Sequence, residues 1–480
     1  MRLKRHTFGL LRPAKTRIAV TGMQASGKSV LLTALLDNLR NCSPAAQNGF
    51  KLGNNASVRK FEFVPRGSKA FPEFPFERHR SELCRAEAPE WPEKDTAITT
   101  RTCCFELVRN GKARKITWEV LDFPGDRLAD GGMYKASYED WSDSVLAHVQ
   151  GNRLYAEKAQ AFLDALGTAE TPEDLVREYK LFLGRALLAW GYCVTPSMFR
   201  LDADGVQPEI RKNDRGEPVY GERTVREWAA SRPCGLDPQS EFAPLSAEAR
   251  KRLPRVAKMF AKGYKRYRRK IVKPLFDWLT EADSLVYTVD VLEILMAGTH
   301  RYNDELRGIG SLLSVCPCRK AGWRQKCADL LKTGILGGVF FWPGRLSKLA
   351  FVATKQDLIH PDDVSRYKHL LKRLVGTFAR DCDLAEDRKR TFTVASVAAT
   401  EVRDGKLCGR PVFDASGRAL RPGESDLREM TPDRLPEEWP REKSGEFNII
   451  EVHPQPPHLL NQAPPQTNLE KLADFLLGIQ

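Results

Sequence analysis

The stretch RIAVTGMQASGKSVLLTALLDNL, residues 17–39, restricts the fold of this chain more than any other. It opens on a short β-type run, RIAVT, with Ile18 and Val20 on one face. It closes on apolar residues at helical spacing: Val30, Leu31, Ala34, Leu35 and Leu39. Between them stand Gly22, Met23, Gln24, Ala25, Ser26, Gly27, Lys28 and Ser29. They fit G-x-x-x-x-G-K-[ST] in the strand–loop–helix setting that this motif requires. A diphosphate needs several backbone N–H donors converging on it, and glycine lets the backbone approach closely. The helix beginning near Gly27, with Val30 in its first turn, adds unpaired N–H groups and its dipole. Lys28 supplies a cation to the β- and γ-phosphates, and Ser29 a hydroxyl to Mg²⁺. A glycine-rich turn with an incidental lysine is the plain alternative, and the flanking strand and helix argue against it.

Such a loop works with a carboxylate at the end of a second apolar strand. KITWEVLD ends at Asp122, and SLVYTVD ends at Asp290. Asp122 continues as Asp122-Phe123-Pro124-Gly125, the D-x-x-G element in which the Asp orients a magnesium water and the Gly N–H senses the γ-phosphate. Asp290 is followed by VLEIL, with no glycine to approach a phosphate, and reads as the end of a buried core strand. Asp122 is therefore assigned. The residue after Gly125 is Asp126, where many GTPases carry a glutamine that orients the attacking water. An acid there accepts a proton or a water hydrogen bond but adds negative charge near the γ-phosphate. Slow intrinsic hydrolysis is expected, raised by a partner or by an internal arginine. The alternative is that Asp126 caps the segment that follows.

KLAFVATKQD, residues 348–357, is a further apolar strand with a polar end. Thr354-Lys355-Gln356-Asp357 matches [NT]-K-x-D, whose Asp accepts from guanine N1–H and the exocyclic amine, while the Lys lies along the base. Adenine has no such pair of donors on that edge. Beyond it, RTFTVASVAAT offers a loop near Ser396 and Val397 to place a backbone N–H on guanine O6. The order is phosphate loop, D-x-x-G, T-K-x-D and small-residue loop, each at the carboxyl end of a strand, where ligands bind in a doubly wound sheet. GTP is favoured over ATP, because polar groups built for one base reject another. A switch threonine for Mg²⁺ should precede the D-x-x-G strand. Thr96, Thr99, Thr100 and Thr102 all qualify, and spacing alone does not choose.

A chain of 480 residues is too long for one ordinary core. The expected fold is an α/β doubly wound P-loop NTPase sheet with a large helical insert and a small C-terminal appendage. Residues 1–126 give the first part of the core, with an irregular insert at 43–92. Residues 127–281 give a mostly helical inserted domain, 282–400 the second part of the core, and 401–480 the appendage. There FNIIEVHP reads as a strand and TNLEKLADFLLGI as a helix that packs on the sheet. The eleven cysteines lack zinc spacing and read as reduced thiols, and the N-terminus lacks the apolar run of a signal peptide. A cytoplasmic protein is expected.

These elements resemble the YcjX family of bacterial P-loop NTPases, which have a Ras-like GTPase core. The similarity extends through RIAVTGMQASGKS, WPEKDT, LDFPGDRL, SYEDWS, YKRYRRKIVKPLF, VYTVDVLEILMAG, LAFVATKQD and NLEKLADFLLGI. The family's W-P-x-x-T region, with one extra residue here, points to Thr96 as the switch threonine. The chain departs from the family at Gln24-Ala25, where a basic residue is usual, and at Asp126, where glutamate is usual. The resemblance implies a stress-associated GTPase with an unknown protein effector.

Formal charge is +14, and the densest basic run, KGYKRYRRKIVKP, interleaves Tyr264 and Tyr267. Nucleic acid or an anionic membrane could meet residues 262–273, but a solvated helix face is favoured. Its apolar side, Met259, Tyr267, Ile271 and Phe276, is expected to pack inward. The functional expectation is a GTP- and GDP-binding, Mg²⁺-dependent enzyme with Lys28, Asp122, Gly125 and Asp126 in its reaction. A chaperone-like P-loop ATPase and a non-hydrolysing, nucleotide-stabilised scaffold are the alternatives.

Overall fold

The computed structural model describes residues 15–42, 50–65, 71–86, 88–93, 97–188, 195–201, 211–212, 218–219, 222–315, 346–382, 384–414, 418–440, 447, 451–457 and 462–479. Seven strands form the main sheet: β1 Lys15–Gly22, β2 Ser57–Phe63, β3 Thr99–Arg109, β4 Lys112–Asp122, β5 Ser284–Val289, β6 Lys348–Ala353 and β7 Lys389–Thr393. Their spatial order is β2-β3-β4-β1-β5-β6-β7. The five strands from β4 to β7 are mutually parallel, and β3 and β2 add antiparallel pairs at one side. β5 is buried at every position, as befits a strand covered on both faces.

The β3–β4 hairpin turns at Asn110-Gly111, both at positive φ, the type I′ signature. β2 lies where an irregular insert is expected from the sequence. The pairing of β2 with β3 shifts register between Arg59 and Glu62, and Lys60 sits at φ 51°. That bulge breaks the period-2 alternation by which a strand is normally read. The same region also holds a helix, Phe76–Leu83.

Helix α1, Lys28–Arg40, follows β1 and buries Leu31, Leu32, Leu35, Leu36 and Leu39. The helix Leu469–Leu477 shares that core: Leu469, Leu472, Phe475 and Leu476 cluster with α1 and with Val20, Trp118, Val286 and Val352. Helix Val364–Asp381 packs on β6 and β7. Its preceding residue, Asp363, is fully buried and accepts from Arg366 at 2.9 Å, from Arg434 at 2.9 and 3.0 Å, and from the Leu435 N–H at 3.0 Å. Burial would raise that carboxyl, but the Leu435 N–H and the Arg434 guanidinium outweigh it and hold it below the usual range. The C-terminal region thereby attaches to the core. It forms a small three-stranded antiparallel sheet of Thr400–Arg403, Lys406–Gly409 and Arg428–Glu429. Of the FNIIEVHP stretch, residues 448–450 lie outside the described residues, and Val452 makes a single bridge to Pro411.

The chain divides into two compact units. One comprises residues 1–124, 281–296 and 318–480, and the other 125–280 and 297–317. The second is mainly helical. Its polar centre is Asp130, fully buried, which accepts from Thr195 Oγ1 at 3.0 Å, Ser197 N at 2.9 Å, and Ser197 Oγ and Tyr267 OH at 2.6 Å. Tyr138, Trp141, Phe242 and Tyr264 form an aromatic cluster in this unit, and Phe242 also packs on Tyr267. Helix Thr299–Val315, placed with the core by its position in the sequence, groups with this unit, and Asp304 accepts from Tyr155 OH at 2.5 Å.

The basic run also differs from expectation. Helix Pro254–Tyr267 buries Val256, Phe260, Gly263, Tyr264 and Tyr267, while Met259 is 47% exposed. A π-helical turn, Arg268–Val272, then advances the register by one residue. Val272 is buried in place of Ile271, and Phe276 is buried as expected.

Candidate functional site

The site lies in the first unit, at the carboxyl edge of the parallel strands. Register aligns Val20 with Asp122, Gly22 with Thr288, Val289 with Ala353, and Ala353 with Thr393. The residues just past those positions are the ones singled out from the sequence.

Gly22 leaves β1 at φ 153°. A Cβ there would stand 2.2 Å from the Thr288 carbonyl oxygen and 2.3 Å from its hydroxyl, so only glycine fits against β5. Ser26 Oγ lies 2.7 Å from both Met23 O and Thr288 Oγ1, which folds the loop onto the strand. Ala25 and Gly27 take left-handed φ of 62° and 76°, so the chain curls before α1 begins. Lys28 Nζ donates to Met23 O at 2.8 Å, drawing its ammonium across the mouth of the loop. The first turn of α1 contains no acidic residue, so the positive end of its dipole is not offset from within the helix. Gln24 is partly exposed, and Val30 packs against the core.

Ser29 Oγ donates to Asp122 Oδ2 at 2.6 Å. A hydroxyl and a carboxylate are thus brought together beside the loop, the hard oxygen donors that Mg²⁺ prefers. The chain after Asp122 is pinned to β1, with Phe123 N donating to Val20 O at 2.9 Å and Thr21 Oγ1 donating to Phe123 O at 3.2 Å. Gly125 and Asp126 open the second unit in a 3₁₀ stretch, Gly125–Met133. Asp126 is 4% exposed and ion-paired with Arg200 at 2.9 Å. Thr96 lies outside the described residues. Thr99, Thr100 and Thr102 are buried in β3.

At the end of β6, Thr354 Oγ1 donates to Ser26 O at 3.1 Å, tying the T-K-x-D element to the phosphate loop. Tyr367 OH donates to Thr354 O. Lys355 sits at φ 63°, and its Nζ lies 2.5 Å from Asp290 Oδ2. Burial lowers the Lys355 ammonium, and the Asp290 carboxylate more than reverses that, leaving it above its ordinary value. Asp290 itself is 1% exposed and also accepts from Glu293 N at 3.0 Å. Sequence reasoning left Asp290 as a core strand end. Its signal was a carboxylate directly after six apolar or hydroxyl residues, beside a strand that ends in Lys355.

Asp357 Oδ2 accepts from the Ala399 N–H at 2.6 Å, and the Asp357 carbonyl accepts from Thr400 Oγ1 at 2.5 Å. Burial pushes its carboxyl up to about 6, against the pull of those backbone contacts. Val397 is buried, and the Ala398 N–H is committed to Pro465 O at 2.7 Å. Ser396 Oγ is buried and has no hydrogen-bond partner among the described residues. An orphaned buried hydroxyl next to Asp357's loop is a group that a bound polar ligand would satisfy.

A mostly parallel sheet with a phosphate-type loop after its first strand, a Ser–Asp pair at that loop and an antiparallel neighbour beyond β4 is a P-loop NTPase core of the Ras-like kind. The chain belongs to the YcjX-like family, DUF463, whose family model matches residues 16–182 and 234–480. It is 23% identical over 492 residues to the Ras-like GTPase YcjX of Escherichia coli K12, covering 96% of this chain and 95% of that protein. It is 22% identical over 505 residues to the Ras-like GTPase YcjX of Shewanella oneidensis MR-1, covering 96% and 94%. Among the described residues no helix is long and apolar enough to cross a membrane.

Proposed function

We propose that this protein binds GTP and GDP with Mg²⁺ and hydrolyses GTP slowly, as a nucleotide-controlled switch in the cytoplasm. The observation that carries the reading is the 2.6 Å contact between Ser29 and Asp122 beside the loop from Gly22 to Lys28. Met23 to Gly27 supply backbone donors for phosphate, and Lys28 leaves Met23 O to meet phosphate oxygens. Ser29 and Asp122 are the oxygen donors for Mg²⁺, with Thr96 the third. The ion, when bound, neutralises phosphate charge. Gly125 is the residue whose N–H answers to the γ-phosphate. Thr354, Lys355 and Asp357 select the base, with Ser396 and Val397 on the adjoining loop.

Slow hydrolysis is supported by the state of Asp126. Its carboxylate is buried and engaged by Arg200 at 2.9 Å, so it is held by that pair rather than left to orient a water. A protein effector and a stress role rest on the family resemblance alone.

The test is a titration of nucleotide-stripped protein with fluorescent GDP and ADP in Mg²⁺. GDP is expected to bind at least about tenfold more tightly than ADP, and Lys28→Ala to lose about a hundredfold, the worth of a charge-assisted contact to phosphate. Equal or adenine-preferring binding would hand the site to a chaperone-like ATPase reading. Single-turnover phosphate release separates a slow GTPase from a nucleotide-stabilised scaffold.

Asp290→Asn checks the support of the base pocket. Lys355 loses the partner that offsets its burial, so GDP affinity is expected to fall about tenfold, the cost of one hydrogen bond to a charged group. Calorimetric titration with GDP measures it. An unchanged constant would mean that Lys355 needs no anchor.

A further inference from the structure

The helix Pro254–Tyr267 contains no acidic residue, and its exposed side carries Arg255, Lys258, Lys262, Lys265 and Arg266. Met259, 47% exposed, stands among them. It lines a cavity of about 790 Å³, whose other walls are helix Pro172–Leu188 and the segment Pro238–Glu241. Met259, Lys262 and Arg266 fall at i, i+3 and i+7, one stripe of the first wall. Val176, Arg177 and Lys180 form the matching stripe of the second, and Leu181, Ala230 and Phe260 give further apolar lining.

Among the lining residues themselves are five cations, Arg177, Lys180, Arg226, Lys262 and Arg266, and two carboxylates, Glu173 and Glu241. Lys180 and Glu241 are paired at 3.0 Å and cancel each other. Arg177 contacts Asp174 at 2.7 Å and Glu178 at 3.1 Å, and Arg266 contacts Asp237 at 3.1 Å, yet these guanidiniums remain 59% and 50% exposed. Exposed pairs of this kind contribute about 0–1 kcal/mol, so an incoming carboxylate can take over either arginine at little cost. Met259 is an apolar contact that reshapes itself to its partner, because a thioether side chain has low rotational preference.

The chemistry separates the candidate partners. Single-stranded nucleic acid is held by stacking on exposed aromatic faces, and among the described residues of this lining the one ring, Phe260, is fully buried. A bilayer is flat and would touch only the rim of a concave groove. A helix or strand of another protein reaches the floor. We propose that this groove docks a short acidic segment of a partner protein. An apolar anchor sits on Met259, and carboxylates reach Arg177, Arg226, Lys262 and Arg266.

The experiment uses full-length protein and a fluorescein-labelled, helix-forming peptide of about three turns. Leucines occupy one face of this probe and glutamates the other. Anisotropy is expected to give a dissociation constant on the order of 10 μM at low salt. Met259→Asp, and separately Lys262→Glu with Arg266→Glu, should each weaken it tenfold or more. Thermal unfolding by circular dichroism should change little, because all three residues are exposed and the Arg266–Asp237 pair contributes about 0–1 kcal/mol. A lysine-for-glutamate version of the peptide should not bind. Absence of acidic-peptide binding, or binding that both variants retain, would overturn the proposal. So would phosphatidylglycerol vesicles or oligothymidine that bind through these residues more tightly than the peptide does.

Discussion

Gly22→Ala is expected to abolish nucleotide binding and lower thermal stability, while Gly27→Ala leaves the fold close to wild type. Both glycines have positive φ, 153° and 76°, so backbone preference alone separates them little. The surroundings separate them. At Gly27 a methyl would sit 3.6 Å from Thr354, an ordinary contact. At Gly22 it would lie 2.2 Å from the Thr288 carbonyl oxygen and 2.8 Å from Ser26 Oγ. Thr288 belongs to β5, which pairs with β1 on one side and β6 on the other and has no room to retreat. Relief must come from the loop, which then loses the Ser26–Thr288 contact and its converging N–H groups. The strain of a non-glycine residue there is about 1–3 kcal/mol before the clash is counted. A loss of GDP affinity of about a hundredfold or more is expected, with a drop in melting temperature of several degrees. Titration and calorimetry on the two variants decide it. Wild-type affinity in Gly22→Ala would mean that the loop does not hold phosphate.

The phosphate loop, the Asp122 element and the T-K-x-D strand end were legible because each is local. Every one is a short apolar run followed at once by the polar residues singled out, and the structure sets each at the carboxyl end of a parallel strand. The link between Thr354 Oγ1 and Ser26 O spans 328 residues and could not be read. Asp290 stands where the sequence places it, at the end of a buried core strand, but its link to Lys355 is not local. Its value depends on Lys355, 65 residues on, reaching back across adjoining strands. β2 was hidden by its bulge at Lys60, although the Asn110-Gly111 turn of the neighbouring hairpin is a plain local signal.

The helical unit shows a different limit. Periodicity found its helices, but periodicity assumes an unbroken 3.6-residue turn. The π turn at Arg268–Val272 moved the buried face by one position, so Val272 replaced Ile271. Met259 failed for another reason. A helix in contact with neighbours along two sides can leave an apolar residue in the groove between them, and composition does not distinguish that place from the core. Helix Thr299–Val315 was assigned by its neighbours in sequence, whereas its buried Asp304 answers to Tyr155, 149 residues earlier.

Asp357→Asn should exchange the base preference from guanine to xanthine and remove a pH dependence. One carboxylate oxygen already accepts from the Ala399 N–H at 2.6 Å. The amide oxygen of asparagine can keep that bond, which turns the NH₂ group toward the base. Guanine presents donors there, N1–H and the exocyclic amine, so the acceptor contact now facing the NH₂ group becomes a donor–donor opposition. GDP affinity is expected to fall by a factor of about 10–1,000, since unpaired buried groups cost about 1–3 kcal/mol each and more when charged. Xanthine carries a carbonyl in place of the amine, and xanthosine diphosphate should bind the variant better than GDP does. In the unaltered protein the carboxyl is pushed up to about 6 by burial. Only the ionised form accepts both guanine donors. Affinity for GDP is therefore constant above pH 6 and falls as pH drops below it, approaching a tenfold loss per unit. The nucleotide-free protein responds in the opposite sense: its folded state binds this proton more tightly than the unfolded chain, so it gains stability as pH falls from about 6. Asparagine has nothing to titrate, and both slopes should vanish in the variant. Titrations with GDP and xanthosine diphosphate at pH values on either side of 6 measure all of this. A variant that still prefers GDP, or that keeps the acid slope, would place the guanine contact on some residue other than Asp357.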